Sequence, residues 1–318
     1  MPAPRDQAVL VRAATLYYLE GKSQAEVAAE IGVSRSNVSR VLAAARELGI
    51  VEVRIHDPFG RATGLEAKLM DRFSLTECRV APSGEQQDSL SRVGELGAQW
   101  LLENIPDHGA ISLSWGSSVQ AVVDAVPNNP AHSSLEILPL VGGLSIVDSA
   151  RDGNVLVRSL AMKLGAEHRR LHAPAVVQSK ETRDAFLNEP SISSVLAAAS
   201  ESKIAIVGIG SVGFGASSAI LDSMHLTTDE MRKFNESKAV GDCCTRHFDS
   251  NGRPVESPAS DHVVSIDLRN LRKIATVVGV AAGAEKAAGV HGALVGRIID
   301  VLIVDTALAQ ALLAFPAP

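Results

Sequence analysis

The sequence predicts an α/β protein: a small all-helical N-terminal domain followed by a large domain on a mostly parallel sheet. Three observations lead there. "GKSQAEVAAEIGVSRSNVSRVLAAARELGIVEV" (Gly21–Val53) holds two short helical periodicities separated by Gly32-Val33-Ser34. Downstream, apolar runs at Ile111–Leu113, Leu135–Leu138, Ile204–Val207, Val263–Ile266, Thr276–Val280 and Val301–Val304 alternate with helical patterns. Strands that alternate with helices imply a parallel sheet. Finally, 46% of the 318 residues are hydrophobic but only 3% are aromatic. Such a core is made of Val, Ile, Leu and Ala, the residues of a sheet buried on both faces.

The length exceeds that of a usual single domain. His56-Asp57-Pro58-Phe59-Gly60 breaks regular structure, which divides the chain into residues 1–56, a linker at 57–61 and a domain over 62–318. The opening MPAPRDQ has no apolar segment behind a basic one, so no signal peptide is expected. The apolar window Ile298–Phe315 carries Asp300 and Asp305 and reads as a buried strand followed by a helix rather than a membrane span. Three cysteines, two of them adjacent (Cys243, Cys244), make no disulfide framework and suit a reducing cytoplasm. With only His247 nearby, the pair reads as small buried residues, not a metal site.

The N-terminal elements come first. Val9, Leu10, Ala13, Leu16, Tyr17 and Leu19 recur at helical spacing up to Gly21. A second helix over Gln24–Glu30 carries Val27, Ala28 and Ile31 on one face. Gly32 ends it in the left-handed conformation, and Ser34 caps a third. There Val38, Val41, Leu42 and Ala45 form the inward stripe, while Arg35, Ser36, Asn37, Ser39 and Arg40 point outward. This spacing is that of a helix-turn-helix. A solvated helical hairpin explains the apolar stripe but not an outward face of Arg, Ser and Asn without a single acid. Arg reads guanine and Asn reads adenine in the major groove. The DNA-binding set is therefore Gln24, Ser34, Arg35, Ser36, Asn37, Ser39 and Arg40. Residues 1–57 hold seven Lys/Arg and seven Asp/Glu, so the net charge of −6 lies wholly in the remainder. A local basic face on an acidic protein points to a focused anion contact. Ile50–Ile55 then alternates like a strand.

In the large domain, the junction Gly109–Ser118 leads into the helical "VQAVVDAV". Gly116 permits a tight turn, and Ser117 and Ser118 add hydroxyls to the free amides of a helix start, a combination that suits a phosphate. An ordinary strand-to-helix turn with Ser as N-cap is the competing reading. Ser117 also suggests a hydrolase nucleophile, but the sequence lacks the G-x-S-x-G elbow that would support it. Gly208-Ile-Gly-Ser-Val-Gly213 matches G-x-G-x-x-G, but a dinucleotide fold needs a second parallel strand ending in an acid. Thr227-Thr-Asp-Glu230 instead has capping-box spacing before a polar helix. Gly208, Gly210 and Ser211 therefore read as a pocket-lining loop after the strand, not as a dinucleotide site.

"LYYLEGKSQAEVAAEIGVSRSNVSRVLAAARELGIVEVRI" resembles the N-terminal signature of the SorC family of sugar-responsive transcription regulators. The likeness continues in order through "SWGSS" (Ser114–Ser118), "PLVGG" (Pro139–Gly143), "AIVGIGS" (Ala205–Ser211), "GDCCTRHFDSNGRPV" (Gly241–Val255), "AAGAEKAAGVHGAL" (Ala281–Leu294) and "DVLIVDTALAQALL" (Asp300–Leu313). The resemblance implies a homo-oligomer, usually a tetramer. Its C-terminal domain would be Rossmann-like and similar to sugar-phosphate isomerases, and would bind a phosphorylated sugar or related metabolite as effector. Gly142, Gly143 and Asn154 stand where related sequences place pocket residues.

Asp242 is either a surface-loop acid or a partner for sugar hydroxyls, and the resemblance favours the pocket. Lys286 sits at a helix start, where the dipole disfavours a cation; an anionic ligand explains it, and so does a solvated surface. Two departures from the family pattern stand out. Ala282-Gly283 replaces a pair of glycines, and Thr306 replaces an acid after Asp305. The expectation is a cytoplasmic regulator that binds double-stranded operator DNA, is controlled by a sugar phosphate, and uses no cofactor and no membrane. The alternative is a sugar-phosphate isomerase or deaminase with an added helical module.

Overall fold

The computed structural model describes residues 4–51, 61–82, 86–144 and 152–316. The chain divides into two compact units, Met1–His56 and Asp57–Pro318. Most of the linker expected at 57–61, and the strand expected beyond Val51, lie outside the described residues; Ile50 and Val51 themselves form no strand.

In the first unit α1 (Pro4–Ala14) continues into a π-helical segment, Thr15–Leu19, so the helix expected up to Leu19 changes its winding midway. Ser23 and Glu26 form a capping box at α2 (Gln24–Ile31), and Gly32 ends that helix at φ 70°. α3 (Arg35–Glu47) starts at Ser34, whose hydroxyl accepts from the Asn37 amide. Ala13, Leu16, Val27, Ala28, Val38 and Leu42 form one cluster. A small residue at Ala28 lets the helices approach closely.

The second unit opens with α4 (Thr63–Phe73), β1 (Glu77–Ala81), α5 (Gln86–Asn104), β2 (Gly109–Leu113) and α6 (Ser117–Ala125). β3 (Leu135–Pro139), α7 (Gly153–Leu164), β4 (Glu167–His168), α8 (Lys180–Asn188) and α9 (Pro190–Ser200) follow. Next come β5 (Ile204–Ser211), α10 (Gly215–Ser223), α11 (Thr228–Glu236) and the hairpin β6 (Gly241–Cys243) with β7 (Arg246–Phe248). A short α12 (Leu268–Leu271), β8 (Thr276–Ala281), α13 (Ala287–Val295), β9 (Val301–Asp305) and α14 (Thr306–Ala314) complete it.

The strands run β1-β9-β8-β5-β2-β3-β4, all parallel, with β6 antiparallel to β5 and β7 antiparallel to β6. Alternate residues feed different clusters. Ala205, Val207, Val277, Leu302 and Val304 pack with α13 and α14, whereas Ile204, Ile206, Val278, Val301 and Ile303 pack with α5, α6 and α7. Both faces are therefore buried, which is why these strands read as unbroken apolar runs.

Val263–Ile266 is a correction. It forms isolated antiparallel bridges, Val176 to Val263 and Val141 to Ser265, but no strand of the sheet. Its apolar side chains are buried in three different clusters, Val263 with α10 and α11, Val264 with α9 and Ile266 with α13 and α14, so hydropathy alone misled. The strands missing from the expectation are β1, β4 and the hairpin. β1 holds Arg79, buried and paired with Glu77 and Glu103, which hides the strand behind a charge. The hairpin turn is Cys244-Thr245 at φ 53° and 63°, where Asn-Gly is the usual signal.

Candidate functional site

From β2 the chain moves outward through β3 to β4, and from β5 it moves the other way through β8 to β9. The topological switch point thus lies between β2 and β5, where open α/β sheets bind ligands beyond the strands' carboxyl ends. A cavity of about 260 Å³ occupies this place, bordered by Trp115–Ser118, Gly208–Ser211, Phe214–Ser217, Asp242, Cys244, Glu285 and Lys286.

The wall after β2 is an uncapped helix start. Gly116 occupies the N-cap of α6 at φ 107° and ψ 169°, with no side-chain cap, so the serine N-cap of the competing reading is absent. A positive φ of this size needs glycine, and the helix amides are left for another acceptor. Ser118 is 3% exposed. Lys286 Nζ donates to its hydroxyl at 3.4 Å. This lysine ends a 3₁₀ turn, Ala284–Lys286, set up by Gly283 at φ 100°. Burial lowers its pKa below the ordinary lysine value, although Glu285, Asp242 and Asp305 pull it upward. Among the described residues it has no ion pair within 4 Å. A desolvated cation beside free amides is built to receive an anion.

The opposite wall is carboxyl chemistry. Asp242, 5% exposed on β6, accepts from Ser217 Oγ at 2.5 Å. Ser217 lies in the first turn of α10, so the fold itself supplies a carboxyl group to that helix start. Gly210 makes this possible: a Cβ there would lie 2.0 Å from Ser217 Oγ and 2.2 Å from Asp242 Oδ1. Behind Asp242, His247 pairs with it across the hairpin, and burial lowers the imidazole pKa. The Ser211 hydroxyl accepts from the Gly289 amide and ties β5 to α13.

Of the pocket residues read from sequence, Gly116, Ser117, Ser118, Gly208, Gly210, Ser211, Asp242 and Lys286 come together here. Gly142, Gly143 and Asn154 do not. Gly142 lies against the backbone of Ala173 and Pro174, where a Cβ would approach within 2.6 Å. Gly143 exchanges backbone hydrogen bonds with Ala173 and Ala175. Asn154 clasps Leu171 through both its side-chain oxygen and nitrogen. These residues join two backbone segments. Ala282 and Thr306, the two departures from the family pattern, stand off the cavity, and Thr306 donates to the Ala81 carbonyl. Trp115, Phe214, Ser217, Cys244 and Glu285 line the cavity without having been foreseen. "GFG" at 213–215 was the available signal for Phe214. Ser217 had none, because only the antiparallel hairpin brings Asp242 to it.

On the N-terminal unit, Arg35, Ser36, Asn37, Ser39 and Arg40 are all exposed along α3. Ser39 donates to Gln24 at 3.0 Å, which joins α2 to the outward face of α3. Arg35 and Arg40 form no ion pair among the described residues.

Among the described residues no group of three or more His, Cys, Asp or Glu side chains is placed to hold a metal, and no helix is long and apolar enough to cross a membrane. The sugar-binding domain family model (Sugar-bind) matches residues 57–314. The chain is 30% identical to the sorbitol operon regulator of Klebsiella pneumoniae, covering 97% of this chain and 98% of that one. It is 27% identical to the deoxyribonucleoside regulator of Bacillus subtilis (strain 168), over 96% and 97%. The crystal structure of the full-length Klebsiella regulator SorC superposes with a TM-score of 0.75, at 30% identity, over 97% and 99% of the two chains. Fold, cavity and relatives together define a sugar-binding transcriptional regulator, not an isomerase or deaminase. The chain belongs to the SorC family of transcriptional regulators.

Proposed function

We propose that this regulator binds double-stranded operator DNA through α3 and is controlled by a phosphorylated sugar held in the cavity beyond β2 and β5. The observation that carries the effector half is the pairing of Lys286 with Ser118 at the uncapped start of α6. The phosphate takes the α6 amides, the Ser117 and Ser118 hydroxyls and the Lys286 ammonium. Sugar hydroxyls donate to Asp242, which Ser217 holds in place.

Arg35, Asn37 and Arg40 read base edges and phosphates, while Ser34 holds the helix start. The linker at 57–61 separates the DNA-reading unit from an effector unit that also carries self-association. The protein works as a homo-oligomer, a tetramer on family grounds, because paired half-sites need paired reading helices. Effector binding favours one state of the assembly and so changes DNA affinity, a coupling that is reciprocal. The working compartment is the cytoplasm.

A thermal-shift panel of sugar phosphates tests the effector half, since a ligand bound only by the native state raises the melting temperature. A specific phosphosugar should stabilise the protein and its unphosphorylated parent should not. Equal stabilisation by both sinks the phosphate reading.

A further inference from the structure

Phe214 is 54% exposed and packs into none of the apolar clusters of the described residues, yet it borders the cavity. It occupies the N-cap of α10 without any side-chain cap. Ser, Thr, Asp or Asn at that position would satisfy a helix amide; a phenyl ring does not. Gly213 and Gly215 flank it at φ 85° and 55°, and a Cβ on either would meet nothing within 4 Å among the described residues. These glycines therefore answer a backbone requirement, not crowding, and together they present one large apolar ring on a bare turn. A sequence that gives up a cap and exposes an aromatic departs from local rules at a place where function is expected to explain it.

The polar groups of the cavity wall include Ser117, Ser118, Asp242, Glu285 and Lys286, while Trp115, Ile209, Ala216 and Cys244 add further apolar surface. A molecule that satisfies both walls carries hydroxyls and an anion on its rim and one flat face of C–H bonds. A closed sugar ring has that shape. Its C–H hydrogens meet the electron-rich face of an aromatic ring, and its ring closure leaves few torsions to freeze. An open-chain polyol phosphate offers the same charge and nearly the same hydroxyls but no flat face.

We propose that Phe214 makes the effector site select ring-form sugar phosphates over their open-chain alditol phosphates. This rests on the phosphosugar reading above and narrows it. Phe214 is a specificity residue in this account, and the Asp242 and Lys286 walls supply the contacts that both ligand types share.

The test uses the full-length protein with matched probes: an aldohexose 6-phosphate and an aldopentose 5-phosphate, each beside the alditol phosphate that borohydride reduction makes from it. Both unphosphorylated parent sugars and their alditols are included. Binding is read by calorimetry and by the fluorescence of Trp115, which lines the same cavity. For whichever carbon skeleton binds, the wild type should hold the ring form roughly three- to tenfold tighter than the alditol, the scale of one aromatic contact. Phe214→Ala should bring that ratio close to one with an unchanged melting temperature for the free protein, and Phe214→Trp should preserve it.

Equal or tighter alditol binding by the wild type overturns the proposal, and so does an unchanged ratio in Phe214→Ala. If only the unphosphorylated pair binds, with the ratio still dependent on Phe214, the phosphate reading fails and ring selection stands. If none of the probes binds, ring selection falls as well.

Discussion

Lys286 reaches across 168 positions of sequence to place its ammonium 3.4 Å from the hydroxyl of Ser118. One residue starts α13 and the other lies in the first turn of α6, so two separate strand-to-helix crossovers meet at a single point. A long hydrogen bond between a desolvated cation and a neutral hydroxyl leaves most of the ammonium's donor capacity available. The effector account rests on this pair.

Lys286→Ala should remove a charge-assisted hydrogen bond in a partly desolvated place, about 1.5–3 kcal/mol or roughly tenfold to a hundredfold in effector affinity. Ser118→Ala should cost less, about 0.5–1.5 kcal/mol. Ligand-dependent melting temperatures of the two variants measure the order; a larger loss for Ser118→Ala contradicts it.

The same lysine predicts a pH dependence. Burial lowers its folded pKa below 10.5, so between that lowered value and 10.5 the unfolded chain binds more protons than the folded one. Stability of the free protein therefore gains from this group as pH rises through that window. Effector affinity moves the opposite way, falling as the ammonium loses its proton. Calorimetric titrations at rising pH should show wild-type affinity dropping before the ordinary lysine range, with Lys286→Ala weak and flat throughout.

Gly210 and Gly208 should respond differently to the same change. A methyl group at Gly210 meets the Ser217 and Asp242 side chains at 2.0 and 2.2 Å, whereas at Gly208 its nearest neighbour is the Trp115 carbonyl at 3.4 Å. Both obstacles at Gly210 are side-chain tips, so Gly210→Ala should fold but displace the Asp242–Ser217 pair and lose effector binding. Gly208→Ala should bind nearly as the wild type does. Parallel binding curves decide between them.

For the DNA-reading helix, Arg35→Ala or Asn37→Ala should cost about 1–3 kcal/mol in operator affinity and relax sequence preference. Arg46→Ala, near the helix end, should weaken all sequences evenly as a phosphate contact does. Ser34→Ala should lower the stability of the N-terminal unit by about 1 kcal/mol through loss of the cap. Fluorescence anisotropy on specific and scrambled duplexes separates the first two behaviours.

The sequence was legible where local chemistry and tertiary structure agreed. Ser34, Gly32 and the Val38–Leu42 stripe announce α3 and its outward face in the sequence itself. The apolar runs of β2, β3, β5, β8 and β9 announced a sheet covered on both sides. Gly116, Asp242 and Lys286 were visible as polar or flexible residues at element ends. What escaped depended on distant pairing. Ser217 matters because the β6–β7 hairpin folds back against β5, and that hairpin turns on Cys244 and Thr245 rather than on a recognisable turn pair. Gly142, Gly143 and Asn154 were expected in the pocket from the family resemblance, and nothing local in the sequence shows that they hold backbone segments together, since glycines and a polar side chain serve close backbone packing as readily as ligand contact.

The central claim is that a sugar phosphate in this cavity controls DNA binding. Its most direct test measures the affinity of the full-length protein for duplex DNA from its own promoter region, with and without each sugar phosphate that raises the melting temperature, in wild type and Lys286→Ala. The account predicts that at least one such compound shifts the wild-type DNA affinity, and that Lys286→Ala binds DNA as well as the effector-free wild type but no longer responds. DNA affinity that stays the same with every stabilising sugar phosphate, or a Lys286→Ala variant that responds as the wild type does, contradicts it.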